Sequence, residues 1–404
     1  MTSIDFSLIP DAEAGYETIV RLVSAFKRET GIDVNLKRME WGDAWPQLIG
    51  ISTNGQGADI SHVGSTWVSS LMTMNALRPI PAHLISKIGG DQAFVHSTWA
   101  NVVAEADRQP YGIPLSAYVY IVAYRKDLLQ KAGLSSSTAF ATPQTLAESV
   151  RRLEALNATE TAWLMPIVPH PFNDLVHMAA SWIWSSGGHI MDNRGKQVLF
   201  NSPAALAGLK SFISLLRRVP NDANDGYLGA DMCMEALLNG KAAAVITDAA
   251  SLLAAIENKS PNIENIGAAS LMSIPWSGGG SIVIWRHTHG YPDRLEASYK
   301  LAEFLVRKQS MLDLASNSYA LPARTDALDE LFPPDHILRP VMLQLISTGR
   351  SYRTIALWHR IEHQFGVELG AAVNQLLKDP NADLDTTVTR AMNSLAERLN
   401  LTLG

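Results

Sequence analysis

Short apolar strands alternate with amphipathic helices from the first residues onward. That alternation limits the chain to an α/β architecture with a largely parallel sheet. Ile4-Asp5-Phe6-Ser7-Leu8 alternates as a strand. Ile19, Val23 and Phe26 then recur at i, i+4 and i+7, and Val20 and Leu22 widen the stripe, which predicts a helix. Gly31 stands where a helix C-cap is expected. Ile32 to Leu36 alternates as a second strand, Trp41, Trp45 and Leu48 mark a second helix, and Ile60 to Val63 reads as a buried strand before Gly64.

Further along, Thr142-Pro143 and Ser202-Pro203 each pair an N-cap residue with proline at the first helical position. Asp293 opens a long helix through Arg307, and Ala242 to Ile246, Ile266 to Leu271 and Ser281 to Trp285 read as strands. The last 45 residues are helical, with Val388, Met392, Leu395 and Leu399 repeating at 4, 3 and 4. A chain of 404 residues carries two or three domains at about 150 residues each. It contains no internal repeat and no low-complexity linker, so the chain is expected to cross between its domains more than once, making each discontinuous.

Composition narrows the functional classes. Lys and Arg number 33 against 39 Asp and Glu, a net charge of −6 with no strongly basic segment, which argues against nucleic acid as a partner. A hydrophobic content of 47% with only 18% charged residues supplies a sizeable core and argues against extensive disorder. The single cysteine, Cys233, rules out an intramolecular disulfide and any multi-Cys zinc or iron–sulfur site; its apolar helical setting reads as a small buried filler. No apolar run approaches the ~18 residues of a membrane-spanning helix. The N-terminus lacks the basic and apolar regions of a signal peptide. Either the chain is made without an export signal, or a signal was removed and Met1 added; both readings stay open.

Several ordered segments resemble the extracellular solute-binding proteins of ABC importers, in the maltose-type (family 1) sugar-binding group. They begin with Phe26-Lys27-Arg28-Glu29-Thr30-Gly31-Ile32-Asp33-Val34, then Trp41-Gly42-Asp43-Ala44-Trp45, Gly57-Ala58-Asp59-Ile60 and Gly64-Ser65-Thr66-Trp67. Tyr111-Gly112-Ile113-Pro114-Leu115, Tyr124-Arg125-Lys126-Asp127-Leu128 and Lys131-Ala132-Gly133-Leu134 form the most specific signature. Asn201-Ser202-Pro203, Asn239-Gly240-Lys241-Ala242-Ala243 and Leu321-Pro322-Ala323-Arg324 continue it in the family's order. The resemblance implies a two-lobed, periplasmic-binding-protein-like α/β fold, each lobe a mixed or parallel sheet flanked by helices, with a ligand cleft between them. By analogy residues 1–114 plus 275–316 make the N-terminal lobe and 115–274 plus 317–404 the C-terminal lobe, with hinges near 114, 273–275 and 316. It further implies a binding protein without catalytic activity that needs no cofactor and no metal. A sugar or polyol would be its ligand and the importer's permease subunits its partners, and hinge closure suits a monomer. A periplasmic or cell-surface location goes with the family; a cytoplasmic solute sensor on the same fold is the alternative.

A sugar offers hydroxyls to polar side chains and an apolar face to aromatic rings. Trp67, with Ser65, follows a strand-to-helix turn, where α/β folds place ligand contacts, although a capped helix with Trp67 packed on its own lobe reads equally well. Relatives often carry an acidic residue near this turn. Glu13, beside Asp11, follows the first strand, as a cleft contact or a solvated helix-dipole partner. Trp41 opens the next helix, whereas Asp43 reads as a helix-start carboxylate and Trp45 as core. Tyr118 lies just past the first crossing, where many relatives have aspartates, which suggests a different or less polar ligand. Asp248 stands where relatives often have Gly-Pro-Trp, as a ligand carboxylate or a helix N-cap. Trp276 and Gly279 follow the second crossing, and the glycines there would let backbone approach the ligand. Arg353 matches an arginine that reaches the cleft in some relatives; a surface ion pair is its other reading. Trp182 and Trp184, two apart, cannot share a helix face, so one is expected in the core and the other at the cleft.

The competing chemistry is His359-Arg360-Ile361-Glu362-His363, an H-x-x-E-H pattern in which two histidines one helical turn apart bind zinc for peptide hydrolysis. No sheet-supported catalytic domain follows it, so it ranks below the binding-protein reading. His287-Thr288-His289 is expected to end a strand.

Overall fold

The structure is a computed structural model. It describes residues 2–10, 12–104, 107–167, 173–219, 228–352, 355, 357–379 and 381–403. Its strands, in chain order, are β1 (Ser3–Leu8), β2 (Asp33–Arg38), β3 (Ile60–Gly64), β4 (Ile113–Pro114), β5 (Ser116–Arg125), β6 (Thr161–Leu164), β7 (Ala242–Asp248), β8 (Ile266–Ser270), β9 (Ser277–Gly278), β10 (Gly280–Ile284) and β11 (Leu321–Pro322). The chain divides into two compact units: residues 1–118, 277–334 and 351–359, and residues 119–276, 335–350 and 360–404. Each is thus discontinuous. Residues 317–334, placed in the C-terminal lobe by the sequence reading, cluster with the first unit because β11 pairs with the start of β5, Leu321 opposite Ala117 and Pro322 opposite Ser116.

In the first unit the sheet order is β2-β1-β3-β10-β4. β1 runs parallel to both β2 and β3, whereas β10 is antiparallel to β3 and β4. Parallel neighbours require crossovers, and helices α1 (Glu13–Thr30) and α2 (Trp41–Asn54) supply them. α1 ends at Gly31, whose φ of 74° is a left-handed cap that costs glycine little. Ile4, Phe6, Ile60, Val63, Ile282 and Ile284 form the sheet's share of the core. Asp59, at the start of β3, is buried with its carboxylate held by the Arg294 guanidinium at 2.6 Å, so the charge is compensated where it leaves water.

The second unit is built on β5, which continues into it, with β7 and β8 antiparallel on its two sides and β6 parallel to β7. Thr142 caps the Pro143–Glu154 helix by accepting the Thr145 N–H at 3.1 Å. Ser202 stands at the expected N-cap before Pro203 without a side-chain hydrogen bond. The C-terminal segment is the Trp358–Lys378 and Leu384–Leu403 helices, the latter burying Val388, Met392, Leu395 and Leu399. Cys233 is buried, and its thiol is pushed up to about 12 by desolvation and the nearby Asp231 charge, as fits an inert filler.

Three local expectations are corrected. The helix expected to reach Arg307 stops at Leu305; Arg307 takes extended geometry and opens the Lys308–Ser318 helix. His287-Thr288-His289 lies in a 3-10 turn over Arg286–Gly290, closed by the Thr288 hydroxyl donating to the Trp285 carbonyl at 2.6 Å. Trp182 and Trp184 are both buried: the Asn173–Ser185 helix is covered on every face from Leu175 to Trp184, with Trp182 edge-on to Phe212 and the Arg350 guanidinium 4.8 Å over Trp184.

Candidate functional site

In the first unit, β1 and β3 end at the same sheet edge at which β10 begins, with Gly64 opposite Gly280. The backbone there is bare. The Ser65 N–H donates to the Gly279 carbonyl at 2.9 Å, and the Gly280 N–H to Ser116 Oγ at 2.9 Å. Gly279 has a φ of 140°, and a Cβ on it would stand 2.0 Å from the Ser116 carbonyl oxygen, so only glycine fits. Beside this strip is an aromatic group. Trp67 lies edge-on to Trp41, centroids 5.5 Å apart, and 5.5 Å from Trp45, which in turn lies 4.1 Å from the His359 ring. Trp67 is 6% exposed and Trp41, at the first position of α2, is 44% exposed. A largely buried ring therefore backs a partly exposed one.

Glu13 opens α1 and pairs with Arg38 at 2.6 Å on the solvent side. Ser65 is buried, and Tyr118, half-buried, ends the first of the three segments of its unit.

The second unit gathers polar and aromatic groups where β7 ends. Asp248 is the N-cap of the Ala249–Glu257 helix, accepting the Ser251 N–H at 2.8 Å and its hydroxyl at 2.7 Å. Tyr120 stands opposite Asp248 across the β5–β7 ladder and donates its hydroxyl to Asp174 at 2.9 Å. Trp276 is buried; its ring lies 6.2 Å from Tyr120 and stacks on His177, while its backbone N–H donates to Ser181 Oγ at 2.8 Å. Burial raises the Asp174 carboxyl, the Tyr120 hydrogen bond opposes this, and the Asp248 charge adds to the rise. Burial likewise raises Asp248 against the lowering pull of Ser251. His177 is pushed down to about 3 by desolvation, so the ring facing Trp276 is neutral.

Of the residues singled out from sequence, Trp41, Ser65, Trp67 and Gly279 converge on the first unit's sheet edge, and Asp248 and Trp276 on the second unit's. Arg353, like Asp11, lies outside the described residues. Sequence reasoning missed Tyr120, Asp174 and His177. Tyr120 was legible as the strand neighbour two residues beyond Tyr118, whereas nothing local marks Asp174 and His177 as facing β7. The H-x-x-E-H reading finds no support. His359 lies on Trp45, Glu362 is fully buried 3.8 Å from His177, and His363 is exposed. Among the described residues no group of three or more His, Cys, Asp or Glu side chains is placed to hold a metal ion.

Each of the two α/β units gathers aromatic and hydrogen-bonding groups at the carboxyl ends of strands, where α/β folds place ligands. The chain belongs to the bacterial extracellular solute-binding protein family, whose profile matches residues 21–337. A binding protein of Brucella abortus is 22% identical over 309 residues, 75% of this chain and 71% of that protein. The maltooligosaccharide ABC transporter solute-binding lipoprotein of Streptococcus pneumoniae R6 is 23% identical over 323 residues, 78% of this chain and 71% of that one. The same fold occurs in the sugar-binding protein MalE of Xanthomonas citri, with a TM-score of 0.79 at 19% identity over 100% of this chain and 97% of that one. It also occurs in an Agrobacterium radiobacter ABC transporter solute-binding protein in complex with ribitol, with a TM-score of 0.72 at 18% identity over 98% of each chain. No described helix is long and apolar enough to cross a membrane.

Proposed function

We propose that this chain is the substrate-binding component of an ABC importer and that it captures a carbohydrate (an oligosaccharide, glycoside or polyol) by hinge closure outside the cytoplasmic membrane. The observation that carries the reading is the pairing, in each unit, of an aromatic ring with hydrogen-bonding groups at the carboxyl end of the strands. Trp41 and Trp67 lie beside the Gly64–Ser65 backbone; Trp276 lies beside Tyr120, Asp174 and Asp248. Rings take the C–H face of a sugar, and carboxylates, hydroxyls and backbone groups take its hydroxyls. The sugar- and polyol-binding relatives support the same class. Capture needs no bond-making group: a ligand that binds the closed form better than the open one shifts the equilibrium, and the closed form is what permease subunits distinguish. It acts as a monomer, with neither cofactor nor metal.

A thermal-shift screen of the purified chain against oligosaccharides, glycosides, polyols, amines and zinc tests this. A true ligand at 100 times its Kd adds about 2.7 kcal/mol of stability. Stabilisation by a sugar or polyol, with a smaller radius of gyration in solution scattering, is the expected result. Stabilisation by amines or zinc alone, with carbohydrates silent, overturns it.

A further inference from the structure

Gly64 ends β3 and opens into the Ser65–Trp67 turn with φ −59° and ψ 136°, a conformation open to any L-residue. The backbone gives no reason for glycine here. The reason is steric: a Cβ at Gly64 would stand 3.3 Å from Cζ3 and 3.6 Å from Cη2 of Trp41, and 3.6 Å from Cδ2 of Trp67. Those indole carbons are the three nearest heavy atoms to that point outside the adjoining residues, and the two closest belong to Trp41. Two carbons of the Trp41 six-membered ring therefore lie over the α-carbon of Gly64, and the Trp41 and Trp67 rings meet in a T-shaped pair. Gly64 is also the cross-strand partner of Gly280, where a Cβ would stand 1.9 Å from His62 Nε2, so the imidazole fills that place on the neighbouring strand.

We propose that Gly64 is a positioning residue for ligand binding, setting the height and tilt of Trp41 so that its outer face meets one ring of the carbohydrate. This rests on the carbohydrate reading above and adds to it a specific geometric requirement. A methyl group at position 64 displaces Trp41 by a few tenths of an ångström. A ring 44% exposed yields more readily than buried Trp67, so the displacement falls on the platform and not on the core.

The test is a double-mutant cycle on the full chain with Gly64→Ala, Trp41→Ala and the pair, read by calorimetric affinity for the carbohydrate that gives the largest thermal shift. Near-ultraviolet circular dichroism, recorded without ligand, follows the Trp41–Trp67 pair. Gly64→Ala is expected to weaken binding about tenfold, the scale of one aromatic contact, and to change the Trp41-dependent part of the spectrum while the melting temperature holds. In the Trp41→Ala background the same change is expected to cost nothing further. Equal losses in both backgrounds, or an unchanged affinity in Gly64→Ala, overturn the proposal. Should Gly64→Ala fold poorly, Trp41→Ala and Trp41→Phe decide: full affinity in Trp41→Ala overturns it, and loss in Trp41→Ala with recovery in Trp41→Phe upholds it. A wild-type chain that binds no carbohydrate overturns the functional reading itself, and this inference with it.

Discussion

The indole of Trp276 lies flat on the imidazole of His177, ring centroids 3.8 Å apart and planes within 7° of parallel. Desolvation keeps that imidazole neutral, so the contact is aromatic stacking between two uncharged rings and not a cation held over a π face. Residues 99 positions apart in sequence thus act as one rigid block beside Asp174 and Asp248.

His177 makes stability pH-dependent with a definite sign. Its folded pKa, about 3, lies below the ordinary 6.5, so between those values the unfolded chain binds the extra proton and stability falls as pH drops. From pH 6.5 to 5 the loss is about 2 kcal/mol. Melting curves of His177→Phe, which keeps a ring against Trp276, are expected to lose this slope. An unchanged slope would mean that other groups carry the acid sensitivity.

Asp174 acts in the opposite sense. Its carboxyl is raised, so the native state holds a proton above the ordinary carboxylate value; stability is greatest at low pH and falls as pH rises through the folded pKa. Asp174→Asn keeps an acceptor for the Tyr120 hydroxyl and removes the buried charge. Its melting temperature is expected to exceed the wild type's at pH 7, with the gain shrinking toward pH 3 to 4, while carbohydrate affinity falls. A variant with wild-type affinity would remove Asp174 from the ligand surface.

The two touching tryptophans of the first unit separate binding from stability. Trp41→Ala is expected to change stability by no more than about 0.5 kcal/mol and to weaken binding. Trp67→Ala leaves a cavity under it and is expected to cost about 3–5 kcal/mol, with binding weakened as well. Chemical denaturation beside calorimetry distinguishes them; equal stability losses would contradict their unequal burial.

Gly279→Ala is expected to destabilise the chain by at least about 1–3 kcal/mol, since both its positive φ and the Ser116 carbonyl oppose a side chain. Gly42→Ala, where a Cβ meets open space, serves as the control, and a shared melting temperature would contradict the strain at Gly279.

Local order was legible in the sequence. The periodicity of Ile19, Val23 and Phe26, the Gly31 cap, the Thr142-Pro143 start and the Val388-to-Leu399 stripe each depend on neighbours within a few residues, and each stands in the structure as read. Family order along the chain marked the sheet edge at Gly64–Trp67 and the glycines after Trp276. Tertiary structure decided which side chains those edges hold. Trp182 and Trp184 are both buried because distant parts of the chain cover each, Phe212 the one and Arg350 the other, which no helical spacing encodes. Glu362 and His363 differ by one position and by complete burial against exposure, a contrast that the letters of the pattern do not carry. Asp174 meets Tyr120, and His177 meets Trp276, only because β5 and β7 are adjacent and the Asn173–Ser185 helix begins at their shared end. Helix and strand formation follow from short-range propensity and pattern, whereas a binding surface is assembled from long-range contacts whose partners are set by topology.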